Sequence, residues 1–164
     1  MQNTRTTSLD SIDKSILDQL QRDGRLSNVQ LAERVGLSES ACLRRVKLLE
    51  ESGIVDRYVL LVDQGAIGIP GTVFVNVTLD GQQKEKLNEF EEAVALIEEV
   101  MECYLMSGDA DYLLRVICKD NDDFIKVHSH ITNLPGIYRV NSSFALRTVV
   151  KKTELPIRLG DTRP

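Results

Sequence analysis

Residues 27–52 read SNVQLAERVGLSESACLRRVKLLEES, and this stretch decides the first half of the fold. Ser27 with Gln30 three positions on forms a capping box that opens a short helix. Val29, Leu31, Ala32 and Val35 supply its apolar side. Gly36 breaks the pattern, Leu37 follows, and Ser38 caps a second helix that buries Cys42, Val46 and Leu49 at i, i+4 and i+7. Two helices joined by the turn Gly36-Leu37-Ser38 make a helix-turn-helix. The first helix braces a second one, which lies in the major groove with its N-terminal residues at base edges.

The reading helix turns Glu39, Ser40, Leu43, Arg44, Lys47 and Leu48 outward, with Arg45 near the boundary. Ser38, Glu39 and Ser40 stand at its N-terminus, where Ser40 reaches a base or a phosphate. Arg44 pairs with guanine or clamps a phosphate. Arg45, Lys47 and the start of the bracing helix at Ser27 and Asn28 suit backbone phosphates. A solvated basic helix in a small bundle would show some of the same residues. The glycine turn and a basic cluster confined to one helix favour double-stranded DNA.

Outward from this stretch, Asp10 caps an earlier helix with Ile12, Ile16, Leu17 and Leu20 at helical spacing, ended by Gly24. Gly53 stops the reading helix. Ile54 to Val62 alternates loosely, as a strand or as a wing running into a linker. Asp63 to Gly71 holds three glycines and a proline and marks the domain boundary. Beyond it the pattern is β-α-β-β-α-β: strands at Thr72–Leu79, Val100–Met106, Tyr112–Cys118 and a long Ile137–Val150, and helices at about Gln82–Ile97 and across Phe124–Leu134. That order is the split β-α-β arrangement of ferredoxin-like domains, with both helices on one face of a four-stranded antiparallel sheet. The other face keeps Val and Phe uncovered, which suggests association with another copy.

The fold class is therefore α+β. A winged helix-turn-helix spans 1–58, a wing and linker 59–71, and a ferredoxin-like domain 72–164. The chain carries 20 Lys+Arg against 25 Asp+Glu, a net charge of -5, which argues against a protein that merely coats nucleic acid. Residues 1–58 hold nine groups of each sign, so the acidic excess falls wholly on the remainder, while 34–47 carries four bases and one acid. At 42% hydrophobic residues the chain is too apolar for disorder. No stretch approaches the roughly 18 consecutive apolar residues of a membrane helix, and Met1–Thr7 is polar without an apolar signal core. Cys42, Cys103 and Cys118 are odd in number and lack C-x-x-C spacing, which reads as free thiols in a reducing cytoplasm.

Several chemistries fail on the residues. His128 and His130 sit at i, i+2 on a helix and point to different faces, so no metal site is expected. Asp120, Asp122 and Asp123 lack the glycine and closing glutamate of a calcium loop and serve better as a helix cap. Glu89, Glu91, Glu92, Glu98 and Glu99 read as a solvated helix face. No Ser/His/Asp grouping or Walker loop is present, so no enzyme is expected.

The chain resembles the Lrp/AsnC (feast/famine) family of bacterial and archaeal transcriptional regulators, and the leucine-responsive branch most of all. Leu9-Asp10-x-x-Asp13-x-x-Ile16-Leu17, Asp23-Gly24-Arg25-Leu26-Ser27-Asn28, Leu31-Ala32-x-x-Val35-Gly36-Leu37-Ser38 and Cys42-Leu43-Arg44-Arg45-Val46-x-x-Leu49-Glu50 carry the likeness in the first half. Gly53-Ile54, Glu102-Cys103-Tyr104, Ser107-Gly108-Asp109-x-Asp111-Tyr112-Leu113-Leu114 and Leu134-Pro135-Gly136 carry it further, over about 8–152. Glu39-Ser40-Ala41 departs from the pattern where bases are read, so the operator does not transfer.

The resemblance implies a RAM-type second domain that binds an amino-acid effector. Tyr104, Met106, Ser107, Gly108, Asp109 and Asp111 offer backbone N–H groups, a hydroxyl and two carboxylates. A zwitterion needs such donors and acceptors beside an apolar pocket. In the family the pocket lies between dimers, so Thr132, Leu134 and Ser143 are candidates to contribute across an interface. On residues alone, Gly108-Asp109 is equally a hairpin turn. The expected protein is a cytoplasmic, nucleoid-associated bacterial regulator that forms homodimers assembling to octamers and responds to leucine or another apolar amino acid, with no further cofactor. The alternative is an effector-independent architectural protein that wraps DNA.

Overall fold

Three capped helices open the chain: α1 (Ser11–Arg22), α2 (Asn28–Val35) and α3 (Glu39–Glu51). The computed structural model describes residues 8–157. Met1–Thr7 and the end of the expected 72–164 domain lie outside the described residues. Asp10 and Asp13 cap α1 reciprocally, Ser27 and Gln30 do the same for α2, and the Ser38 side chain accepts from the Ala41 N–H to start α3. Gly36 ends α2 at φ +69°, a left-handed conformation that a residue with a Cβ adopts only at a cost. Ile16, Leu17, Leu31, Ala32, Cys42 and Leu49 form the buried core. Burying each large aliphatic side chain contributes roughly 1.5–3 kcal/mol.

Of the two readings for the segment after α3, a strand or a wing running into a linker, the strand is not formed. Over 54–62, Ile54 and Val55 lie in a bend, the rest is irregular, and no described segment of this unit offers it a ladder of hydrogen bonds. Tyr58 donates to Glu50 at 3.0 Å, while Val59, Leu60, Leu61 and Val62 stay exposed. The first compact unit runs through Leu60 and takes in residues 150–157, which the sequence reading places in the second domain. Gln21 explains this grouping. Its side-chain amide accepts from the Leu155 N–H at 2.7 Å and donates to the Leu155 carbonyl at 3.2 Å, and Ile157 packs against the helical core.

The second unit, Leu61–Val149, holds β1 (Gly71–Leu79), α4 (Lys84–Val94), β2 (Val100–Leu105), β3 (Tyr112–Cys118), α5 (Asn121–Thr132) and β4 (Ile137–Phe144). The strands lie in the order β2-β3-β1-β4, all neighbours antiparallel. Val73, Val75, Val77 and Leu79 on β1 and Tyr112, Leu114 and Val116 on β3 share one core with Phe90 and Val94 of α4 and Phe124, Val127 and Ile131 of α5. Both helices therefore cover one face. Asp120 caps α5 by accepting from the Asp123 N–H.

β4 is shorter than its apolar pattern suggests. It pairs with β1 up to Val73↔Phe144, and the Ala145 N–H reaches Thr72 O at 2.9 Å. β1 runs two residues further, to Gly71, paired there with β3, and the chain beyond Ala145 forms no strand. α4 starts after Gln82, because the Gln82 side chain is drawn to Asp111. On the uncovered face Phe74, Asn76 and Thr78 alternate with the buried valines, and Leu113, Arg115 and Ile117 do the same on β3.

Candidate functional site

The helix-turn-helix presents one exposed stripe. Ser40, Arg44 and Lys47 lie at i, i+4 and i+7 on α3, all exposed, opposite the buried Cys42 and Leu49. Glu39 and Ser38 stand exposed at the helix start, with the Ser38 and Ser40 hydroxyls 3.4 Å apart. Leu43 and Leu48 are half exposed beside the stripe, and so is Val29 on α2. This surface offers a guanidinium, an ammonium, hydroxyls and apolar tips. Those are the groups that meet phosphates, base edges and thymine methyls.

Three residues expected to face DNA are otherwise engaged. Arg45 turns inward: its Nη1 lies 2.8 Å from Asp10 Oδ2 and 2.6 Å from Asp13 Oδ1. Hydrogen bonds to these two carboxylates raise the Arg45 pKa further, so the guanidinium stays charged. The Asn28 side chain donates to the Glu39 carbonyl at 2.8 Å and braces α2 against the start of α3. Ser27 uses its hydroxyl and its N–H in the capping box with Gln30. Asp10 and Asp13 are thus part of the DNA-reading module in a way that helix spacing alone did not reveal. In the sequence Asp10 reads only as a cap, and Asp13 only as part of the family resemblance.

The candidate effector loop joins β2 to β3. Met106, Ser107, Gly108 and Asp109 are exposed, and the loop is closed by the Met106 N–H donating to Asp111 O at 2.8 Å. Gly108 has no left-handed φ, and a Cβ placed on it meets nothing within 4 Å. The fold of one chain does not require glycine there. Tyr104 projects from β2, and its hydroxyl donates to Glu102 at 3.0 Å, which raises the phenol pKa above its ordinary value.

Asp111 does not join this set. It is buried at 6% exposure, with Oδ2 accepting from the Leu79 N–H at 2.7 Å and Oδ1 from Gln82 Nε2 at 2.6 Å. Its own N–H donates to Val77 O at 2.9 Å. The carboxylate ties the loop to the end of β1, and its role as an ammonium acceptor is replaced by this structural one. Thr132 and Leu134 lie at the end of α5 and just past it, and Ser143 lies on β4 opposite Phe74. These three are not gathered beside the loop within the sheet register of one chain. Cys103, on the same edge strand, is exposed as a residue, yet desolvation of its sulfur by neighbouring atoms and the charge of Glu91 push the thiol pKa up to about 11.

Two stretches match known families. Residues 9–56 match a winged helix-turn-helix DNA-binding family, and residues 72–155 match the Lrp/AsnC ligand binding domain. The chain is 38% identical over 151 residues to the leucine-responsive regulatory protein of Klebsiella pneumoniae, covering 92% of both chains, and it matches that of Escherichia coli to the same extent. It is similar to a solved AsnC family transcriptional regulator from Agrobacterium tumefaciens, with 38% identity, a TM-score of 0.87, and 90% of this chain and 97% of that one covered. It is also similar to a transcriptional regulator from Neisseria meningitidis solved in complex with L-Met, with 36% identity, a TM-score of 0.82, and coverage of 91% and 97%.

Proposed function

The chain belongs to the Lrp/AsnC family of DNA-binding transcriptional regulators, and on that premise we propose that it reads specific DNA sites and that an apolar amino acid bound between subunits modulates its DNA binding or assembly. It is a regulator with an amino-acid-binding domain and not an enzyme. Leucine and methionine are the favoured effectors, by analogy with the leucine-responsive relatives and the L-Met complex. Its place of work is the bacterial cytoplasm, on the nucleoid.

The observation that carries the DNA half is the exposed Ser40-Arg44-Lys47 stripe on a capped, braced helix. Ser38, Glu39 and Ser40 are proposed at base edges or phosphates, and Arg44 and Lys47 as the cationic contacts. The effector half rests on the exposed Met106–Asp109 loop, where Gly108 stands free of the chain's own atoms. Backbone N–H groups here suit a carboxylate and Asp109 suits an ammonium. Thr132, Leu134 or Ser143 of a second copy would contribute across the interface. The uncovered sheet face with Phe74, Leu113 and Ile117 is the proposed dimer surface, and dimers assemble further.

A ligand moves such an equilibrium only through different affinities for its two states. The test is a thermal-shift panel of amino acids on the full chain, followed by footprinting on its own upstream DNA. An effector at ~100 times its dissociation constant adds ~2.7 kcal/mol of stability. Leucine or methionine is expected to raise the melting temperature and change the footprint. If no amino acid alters melting, affinity or assembly, the effector-independent architectural reading replaces this one.

A further inference from the structure

Arg44 and Arg45 are neighbours in sequence and opposites in environment. Arg44 is exposed on the stripe. Arg45 lies between Cys42 and Leu49, the two buried anchors of α3, and its side chain retains 25% exposure. We propose that Arg45 is a positioning residue: it locks the reading helix α3 onto the N-terminus of α1 through Asp10 and Asp13 and does not itself touch DNA. This rests on the DNA-reading role of α3 given above.

The two carboxylates are fully shared out. Asp10 Oδ1 accepts from the Asp13 N–H at 2.8 Å and Asp13 Oδ2 from the Asp10 N–H at 3.3 Å, so each spends one oxygen on the helix cap. The other oxygen of each meets Arg45 Nη1. One guanidinium against two carboxylates leaves a local excess of one negative charge, which repels an approaching phosphate. The guanidinium also joins elements 32 and 35 residues apart in sequence. The angle of α3 on the bundle decides whether Ser40, Arg44 and Lys47 enter the groove together, and a small misplacement there weakens all of those contacts at once.

A phosphate contact and a positioning contact leave different signatures in salt. Each phosphate neutralised contributes about -0.9 to the slope of log K against log salt on duplex DNA. The experiment measures that slope and the affinity on upstream duplex DNA for the full chain, Arg44→Ala, Arg45→Met, Arg45→Lys, and Asp10→Asn combined with Asp13→Asn. Arg44→Ala is expected to flatten the slope by about 0.9. Arg45→Met is expected to weaken binding several-fold at unchanged slope, with partial recovery in Arg45→Lys. The Asp double variant removes no basic group and lifts the local negative excess, which by charge alone would tighten binding; it is expected to weaken binding nonetheless, because α3 is unlocked. Asn retains the caps, and circular dichroism confirms that the helices persist. Should Arg45→Met not fold, Arg45→Lys and the Asp variant carry the same comparison. A slope loss of about one in Arg45→Met or Arg45→Lys overturns the proposal, as does an Asp double variant that binds like the parent. If the parent chain shows no salt-dependent duplex binding at all, the failure lies in the DNA reading itself.

Discussion

Asp111 shows how burial redirects a charged residue. Both of its oxygens accept hydrogen bonds, from the Leu79 N–H and from Gln82, at 6% exposure. Asp111→Ala would leave a buried backbone donor unpaired, and the expected loss is about 2–3 kcal/mol in chemical denaturation. Asp10 behaves differently because it is half exposed. The Asp13 N–H and Arg45 hold its carboxyl below the ordinary value. A depressed folded pKa contributes stability that is complete above the unfolded value of about 3.9 and is lost as pH falls through the folded one. Melting curves from pH 7 to pH 2 are expected to fall less steeply at the acid end in Asp10→Asn. The outward side of α3 was legible in the sequence, because helical spacing alone separates Ser40, Arg44 and Lys47 from Cys42 and Leu49. Arg45 was not. A residue at the edge of an apolar stripe points wherever its partner lies, and that partner sits on another helix 32 residues away.

The elements follow local signals closely where those signals are complete. Asp10, Ser27 and Ser38 each start a helix at the position their caps dictate, since a cap is made by residues three apart. Strand ends obey distant partners instead. The apolar run through Val150 says nothing of where the ladder with β1 ends, and that pairing stops at Val73↔Phe144. Gly71, at the start of β1, is constrained by close approach: a Cβ there would sit 2.5 Å from Cys118 Sγ and 2.7 Å from the Cys118 carbonyl oxygen. The carbonyl is backbone and cannot swing away. Gly71→Ala is expected to cost about 1–3 kcal/mol by forcing β1 and β3 apart at this end, read as a lowered denaturation midpoint.

On the scale of the whole molecule, charge is divided by task. The net -5 belongs to residues beyond 58, while the reading helix keeps a small positive cluster. On the proposed reading a single module with so small a positive cluster binds weakly, and linked copies would supply the rest. Leu113→Glu on the uncovered sheet face is therefore expected to yield smaller species in analytical ultracentrifugation. Its DNA affinity should fall by a factor on the order of 100 or more through lost multivalency, with α1–α3 intact. The β-α-β-β-α-β order was legible from alternating and helical periods. The C-terminal return to the first unit was not, because nothing in 150–157 by itself announces a partner at Gln21.

That return has a consequence for how the protein is made. The Gln21–Leu155 pair spans 134 residues, and Ile157 fills a place in the core built by α1, α2 and α3. On the ribosome these helices emerge first, yet the contact with Ile157 is translated only after the whole sheet domain. Closing so long a loop adds little entropy beyond a shorter one, since the cost grows with the logarithm of length. The delay is one of order: the module that meets DNA begins to form first and is completed last, so a chain released early would carry its reading helices with their core still open at one seat.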